Sequence, residues 1–214
     1  MNETPQFAAE SVLCVDLDGT LSRTDTLIET LLMLLKQKPL AVLLLPFWLM
    51  RGRAAFKAAV AQAVRFDPES LAYNEELVDW LRTEKAAGRR IVLATAADER
   101  IARPIAAHLG IFDDVIASDG SANRKGRAKA EALRNAYGSF VYVANADVDV
   151  PVWEAADGAV LVAGSPRIAR RLSGRVSFAR VFGPSSERPA WRLWLRQLRV
   201  HQWAKNALIF VPRW

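Results

Sequence analysis

Ser11-Val12-Leu13-Cys14-Val15-Asp16-Leu17-Asp18-Gly19-Thr20 is the stretch that decides the fold of this chain. An uncharged run passes directly into two carboxylates, a glycine and a threonine. Such a run reads as a strand buried on both faces, as in a parallel sheet, with the acids in the loop at its carboxyl end. The pattern recurs at Arg90–Thr95, Phe140–Asn145 and Ala159–Ala163, and more weakly at Val115–Ser118 and Val176–Val181. Helical stretches lie between them at Glu75–Ala87, Glu99–Gly110, Gly126–Tyr137 and Pro151–Ala156, the first three with glycine at or just past the last turn. Strands alternating with helices imply an α/β fold, a parallel sheet with helices on both faces. In such sheets chemistry gathers at the strand carboxyl ends, where Asp16, Thr95 and Asn145 all fall.

One segment interrupts the alternation. Between the first and second strands lie roughly 70 residues of mostly helical pattern, about 22–88, far more than a crossover needs. This reads as a helical cap inserted after the first strand and lying over the strand ends. Within it Leu40–Met50 carries no charge, and at eleven residues it is too short to span a bilayer, which needs about 20. Two readings stand: a buried cap helix, or a face resting on a membrane, which Trp48 and the flanking Arg51 and Arg53 suit.

Two acids spaced by two at a strand end face one cavity if the chain turns there. One carboxylate can then attack a phosphoryl group while the other shuttles a proton to the leaving oxygen. Gly19 permits the sharp exit, and the Thr20 hydroxyl is expected to brace the loop locally. A carboxylate attacking an anionic phosphate meets like-charge repulsion, so the chemistry calls for a cation, with Mg2+ and oxygen ligands the natural choice. The plainer alternative is an acidic turn that merely ends a strand.

Val15-Asp16-Leu17-Asp18-Gly19-Thr20-Leu21 resembles the first motif of the haloacid dehalogenase superfamily, in its two-aspartate phosphatase form. The other motifs follow in order. Thr95 matches the Ser or Thr after the second core strand. Asn123-Arg124-Lys125-Gly126-Arg127-Ala128-Lys129-Ala130-Glu131-Ala132-Leu133 offers two lysines for the third: Lys129 keeps a Lys-x-x-Ala-Leu spacing and Lys125 a Lys-Gly dipeptide. The fourth motif, Gly-Asp-x-x-x-Asp, meets Ala144-Asn145-Ala146-Asp147-Val148-Asp149, where Asn145 stands for the first acid. The resemblance covers residues 10–182. It implies Asp16 as nucleophile forming an aspartyl-phosphate and Asp18 as general acid/base. Thr95 and Lys129 or Lys125 would hold phosphoryl oxygens, and Asp16, the Asp18 carbonyl, Asn145 and Asp149 would surround Mg2+. An amide brings no charge to a metal, so Asn145 is expected to weaken that site unless Asp147 or Asp149 compensates. A catalytically weakened module therefore stands as the alternative to an active phosphatase.

The net charge of +6 is unevenly spread. Residues 166–214 hold eleven Arg and Lys against the single acid Glu187, a net of +10 that leaves the rest of the chain at −4. Four of the seven tryptophans also lie in the last 24 residues. Phe182–Pro189 is rich in turn residues, so a linker is expected at 183–190. Trp191–Val200 then places apolar residues at helical spacing with Arg192, Arg196 and Arg199 opposite, a basic amphipathic helix. Trp beside Arg is the composition of a membrane interface, and no nucleic-acid motif accompanies the charge, so the expected partner is a membrane surface rather than nucleic acid. Arg199-Val200-His201-Gln202-Trp203-Ala204-Lys205-Asn206 resembles the opening of UbiA-type membrane prenyltransferases, close to decaprenyl-phosphate phosphoribosyltransferase. Some members of that family carry a dehalogenase-type domain in front. The aspartate-rich motifs of the prenyltransferase are absent, so residues 191–214 are expected to be a truncated start of such a domain. The implied substrate is a phosphorylated small molecule or a lipid-linked phosphate, handled at the cytoplasmic side of a membrane.

The remaining candidates read more simply. Cys14, His108 and His201 are too few for a four-ligand zinc site of cysteine and histidine. Cys14 reads as a buried strand residue, His108 as a helix-end histidine, and Trp80 and Trp153 as core-edge packing. Lys85, Arg89 and Arg90 read as a solvated helix-to-strand turn. Acidic Glu3 and Glu10 precede the first apolar run, unlike a secretory signal, so a reducing cytoplasmic setting is expected.

Overall fold

The computed structural model describes residues 11–119, 125–162, 166–172 and 174–183, within the first of two units into which the chain divides, Met1–Pro184. The linker and tail expected over 183–190 and 191–214 lie, apart from Gly183, outside the described residues, as do Asn123 and Arg124 of the lysine motif.

Six strands form one sheet: β1 (Val12–Val15), β2 (Ile91–Asp98), β3 (Asp114–Ser118), β4 (Phe140–Ala144), β5 (Gly158–Leu161) and β6 (Phe178–Val181). Their order is β3-β2-β1-β4-β5-β6, and every pairing is parallel. From β1 the chain builds outward through β2 and β3, then returns to add β4, β5 and β6 on the other side. The direction reverses between β1 and β4. Their carboxyl ends therefore flank the crevice where ligands bind in open α/β sheets.

The apolar runs are buried on both sides because each strand feeds two cores. Leu13 and Val15 of β1, with Val141 and Val143 of β4, point into one cluster; Cys14, Phe140, Tyr142 and Ala144 point into the other. The described residues contain eight α-helices: α1 (Thr26–Gln37), α2 (Leu45–Met50), α3 (Arg53–Ala63), α4 (Glu75–Ala86), α5 (Glu99–Leu109), α6 (Arg127–Tyr137), α7 (Val150–Ala155) and α8 (Pro166–Leu172). Leu77, Val78 and Leu81 of α4 and Ile101 and Ile105 of α5 fill the first cluster. Leu133 of α6 and Val152 and Trp153 of α7 fill the second. Gly110 ends α5 in the left-handed conformation (φ 65°), where glycine carries no Cβ penalty.

The cap is narrower than the 22–88 read from sequence. Arg23 N–H donates to the Ala72 carbonyl at 2.8 Å and Asn74 N–H to the Leu21 carbonyl at 2.9 Å, so the two stretches of chain leading into and out of the cap form a neck there. An antiparallel bridge pairs Ser22 with Tyr73. Helix α4 lies beyond the neck and packs on the sheet, as its buried leucines require. Inside the insertion, α1 and α3 are tied by Gln37, which donates to the Arg65 carbonyl at 3.0 Å and accepts from Arg65 N–H at 2.8 Å.

Leu40–Met50 does not form the buried cap helix that was one of its two readings. It splits into a 3-10 turn (Pro39–Leu44) and the short α2, and neither contains a buried residue. Pro46 causes the split: it has no N–H to bond back to the preceding turn, so the helical hydrogen-bond ladder is interrupted there and no continuous amphipathic stripe forms. Trp153 is also a correction, since it is fully core, edge-on between Tyr142 and Phe178, whereas Trp80 does sit at the core edge against Phe182. The turn at Lys85, Arg89 and Arg90 is paired rather than simply solvated. Lys85 bridges Asp113, Arg89 meets Glu84 at 3.2 Å, and Arg90 lies 5.1 Å from the Tyr137 ring centre. Cys14 is buried as read, and burial pushes its thiol up to about 12.

Candidate active site

Asp16 is the first residue past β1 and is nearly buried. Its backbone N–H donates to the Val143 carbonyl of β4 at 2.9 Å, which pins it at the switch between the two strands. Lys129, in the first turn of α6, is only 3% exposed although the rest of the helix face beside it is apolar. A buried ammonium needs a partner. The Lys129 Nζ donates to Asp16 Oδ1 at 2.6 Å and to the Tyr142 hydroxyl at 2.8 Å, and lies 3.8 Å from Asp149 Oδ1. The Tyr142 hydroxyl in turn donates to Asp149 Oδ1 at 3.1 Å. Two carboxylates, one ammonium and one phenol thus form a closed network beneath the strand ends.

The electrostatics follow from burial. The Asp149 carboxyl lies above its ordinary range because burial disfavours the ion and the Asp16 charge adds to that, with Lys129 opposing. Tyr142 is raised well above 10 by burial, then by Asp16 and Asp149, so it remains a donor. One atom in the network is left over: Asp149 Oδ2 is buried without a hydrogen-bond partner. A lone buried acceptor beside a second carboxylate suits a bound cation.

Asp18 faces the cap side. Its Oδ1 accepts from both the backbone N–H and the hydroxyl of Thr26, each at 2.8 Å, at the start of α1. Burial is the main cause that pushes its carboxyl from 3.8 up to about 6, with the Asp16 charge adding and the Thr26 bonds opposing. Asp18 lines a cavity of about 310 Å3 between cap and strand ends. Leu27, Leu49, Phe56 and Ile101 supply apolar wall, and Arg53 and Lys57 bring positive charge from α3. Lys57 Nζ also donates to the Ala96 carbonyl at 2.8 Å, joining cap to β2, and burial lowers its affinity for a proton.

Thr95 is fully buried within β2, which runs on to Asp98 rather than ending at Thr95 as expected, and its hydroxyl oxygen accepts from the Ala97 N–H at 3.0 Å, which leaves its own hydrogen available. The two lysines part company: Lys129 joins Asp16 in the buried network, while Lys125 is exposed and lines the cavity with Asp18. Asn145 lies against the acidic loop. A Cβ added to Gly19 would stand 2.4 Å from Asn145 Nδ2, and the Thr20 hydroxyl donates to Asn145 Oδ1 at 3.3 Å. Thr20 therefore braces its loop against β4, not locally as expected. Asp147 does not compensate for Asn145. It is exposed and paired with Arg171, whereas Asp149 is buried in the network.

Sequence reasoning missed Tyr142, Thr26 and Lys57. Tyr142 reads as one more apolar strand residue, and only its hydroxyl, with nothing in the pattern to mark it, enters the site. Thr26 follows the N-cap Asp25, whose side chain accepts from Leu27 and Ile28 N–H, so it reads as ordinary helix-start chemistry. Lys57 sits in a helix 39 residues from the carbonyl it meets.

An acid pair at a sheet switch point, a buried lysine and an inserted cap mark a capped α/β domain with a candidate site at its strand ends. The model of the haloacid dehalogenase-like hydrolases matches residues 13–154, two thirds of the chain, and the chain belongs to that family. An uncharacterized protein, y4nM of Sinorhizobium fredii, is 41% identical over 208 residues, 96% of this chain; the chain spans only 40% of that relative's length. A protein of unknown function from Bordetella pertussis has the same fold (TM-score 0.62, 18% identity, 83% of this chain and 100% of that one). So does a phosphoserine phosphatase solved as a phospho-aspartyl intermediate analogue (TM-score 0.54, 14% identity, 87% and 98%). Among the described residues no helix is long and apolar enough to cross a membrane. The UbiA-like residues 199–206 lie outside those described.

Proposed function

We propose that this domain is a Mg2+-assisted phosphomonoester hydrolase working through an aspartyl-phosphate on Asp16. The observation that carries this reading is the buried Asp16–Lys129–Tyr142–Asp149 network, set beside an Asp18 that is poised near neutrality. A carboxylate of Asp16 attacks phosphorus, and the bond from phosphorus to the leaving oxygen breaks. Asp18, protonated, gives its proton to that oxygen. Asp18 as carboxylate then takes a proton from water, whose oxygen attacks phosphorus and releases Asp16 and inorganic phosphate. Lys129 and the free hydroxyl hydrogen of Thr95 hold the charge that spreads over the phosphoryl oxygens during both transfers. Lys125, at the cavity, meets the part of the substrate beyond the phosphate.

The residues present fit a magnesium ion. Among the described residues no three of His, Cys, Asp and Glu stand close enough to hold a metal. Mg2+ does not need three: it is ordinarily bound by one or two carboxylates, with water and substrate phosphate completing its shell. Asp16, Asp149 with its unpartnered Oδ2, the Asp18 carbonyl and the Asn145 amide are the donors. When bound, the ion supplies positive charge against the phosphate's own. Turnover of a soluble phosphomonoester with and without Mg2+, wild type beside Asp16→Asn, tests the reading; equal rates for the two proteins would overturn it.

A lipid-linked or prenyl-related phosphate is the substrate class the cavity favours, because apolar Leu27, Leu49, Phe56 and Ile101 wall it beside the acids. Residues 199–206 and the greater length of the relative support placement as the amino-terminal part of a UbiA-type fusion at the cytoplasmic side of a membrane. Turnover of a prenyl monophosphate no faster than p-nitrophenyl phosphate would count against that substrate. Asn145 favours a second reading, a weakened module that positions a membrane enzyme, since its amide braces Thr20 and adds no charge.

A further inference from the structure

The cap's outer edge is an apolar surface without a partner. Leu40, Leu43, Leu44, Phe47, Leu49 and Met50 are all exposed, with Leu40, Leu43 and Met50 at 81%, 78% and 86%. Folding normally hides residues of this kind, and a contiguous cluster marks a surface that meets something. The surrounding charge has one sign. From Thr30 to Phe66 the chain contains Lys36, Lys38, Arg51, Arg53, Lys57 and Arg65 and no acid at all. Lys36, Lys38, Arg51 and Arg53, which flank the apolar run on either side, are exposed and form no ion pair with a described residue.

We propose that the 3-10 turn and α2 of the cap dock on an anionic lipid bilayer, the apolar side chains entering the headgroup–acyl boundary and the four flanking cations meeting lipid phosphates. Charge selects this occupant. A second copy of the chain, related by a two-fold axis, would set these cations against their own kind. The basic segment 191–214 likewise holds no acid, so it is no better a match. A leaflet of uniform negative charge complements a uniformly basic rim, and apolar residues between basic ones are the pattern of interfacial helices. Leu49 is shared by the exposed surface and the cavity wall, so the docked edge adjoins the path to Asp18. The inference deepens the lipid-linked substrate reading and rests on it only for its purpose, not for the docking itself.

The test is flotation of the whole chain with vesicles of phosphatidylcholine, alone or with one part in four phosphatidylglycerol. Soluble p-nitrophenyl phosphate turnover is measured on the same samples. Wild type is expected to float with the anionic vesicles and not the neutral ones. Leu43→Asp with Met50→Asp, both too exposed to disturb folding, is expected to weaken binding at least about tenfold at unchanged soluble turnover. Lys36→Gln with Lys38→Gln is expected to weaken anionic binding by a similar factor. Equal flotation of wild type and the Leu43/Met50 variant would overturn the proposal, as would binding to neutral vesicles alone. Failure to float together with a concentration-dependent dimer, lost in that variant, would assign the face to a second copy instead. Because turnover is read separately, loss of the docking surface and loss of phosphatase chemistry are distinguishable.

Discussion

Replacing Asp18 by Asn should make the metal-free protein more stable at neutral pH while removing its chemistry. The Asp18 carboxyl is raised from 3.8 to about 6, chiefly by burial, so folding prefers it protonated. Its contribution is fully present below about pH 4 and is lost as pH rises through about 6. At about 1.4 kcal/mol per pH unit, ionised Asp18 destabilises the fold at pH 8 by up to about 3 kcal/mol. An amide oxygen at the same place can still accept from Thr26 N–H and the Thr26 hydroxyl, so little is lost in exchange. Urea unfolding in EDTA at pH 4 and pH 8 reads the effect. The Asn variant should match wild type at pH 4 and gain about 1–3 kcal/mol at pH 8. Turnover should fall by about 10²–10⁴, the usual worth of a placed general acid/base. A variant no more stable than wild type at pH 8, or one equally favoured at both pH values, would refute the argument that buried charge at Asp18 strains the fold.

Lys129→Met leaves Asp16 and Asp149 buried without their cation and should destabilise the domain by about 3–5 kcal/mol in thermal or urea unfolding at pH 7. The loss should shrink as pH falls through about 6, where the Asp149 carboxyl, raised chiefly by burial, takes a proton. Gly19→Ala should cost about 1–3 kcal/mol, since Gly19 has φ 73° and its new Cβ would meet Asn145 Nδ2 at 2.4 Å. Displacing Asn145 should also break its bond with Thr20, so turnover should fall with stability in the same variant. On the proposed mechanism, in which Asp18 donates its proton, phosphoryl transfer to Asp16 in single-turnover kinetics should slow as pH rises through about 6. Hydrolysis of the phospho-Asp16 form should change in the opposite sense.

Much of the sheet was legible because parallel strands are buried on both faces and so appear as unbroken apolar runs, as at Leu13–Val15 and Val141–Val143. The cap proved less legible. Pro46 splits Leu40–Met50 into pieces too short to bury a stripe, and the neck at Ser22 and Tyr73 depends on backbone bonds between residues about fifty apart. In the candidate site, the positions of Asp16 and Asp18 just past β1 followed from the apolar run before them, whereas Thr95 lies inside a β2 that continues to Asp98. The partition of Lys125, which precedes α6, and Lys129, in its first turn, did not, because sequence spacing admits either until the helix is docked on the sheet.

The sequence alone determined which residue types stand where strands end, because burial on two faces is written residue by residue into an apolar run and charge marks where it stops. Only the tertiary structure decided which of them share a proton or an ion. Lys129, Tyr142 and Asp149 come from a helix, a strand and another 3-10 turn (Asp147–Asp149), and meet Asp16 only once β1 and β4 lie side by side. The interactions that raise a carboxyl's pKa or pair an ammonium act across a few ångströms of space, and no periodicity along the chain records them.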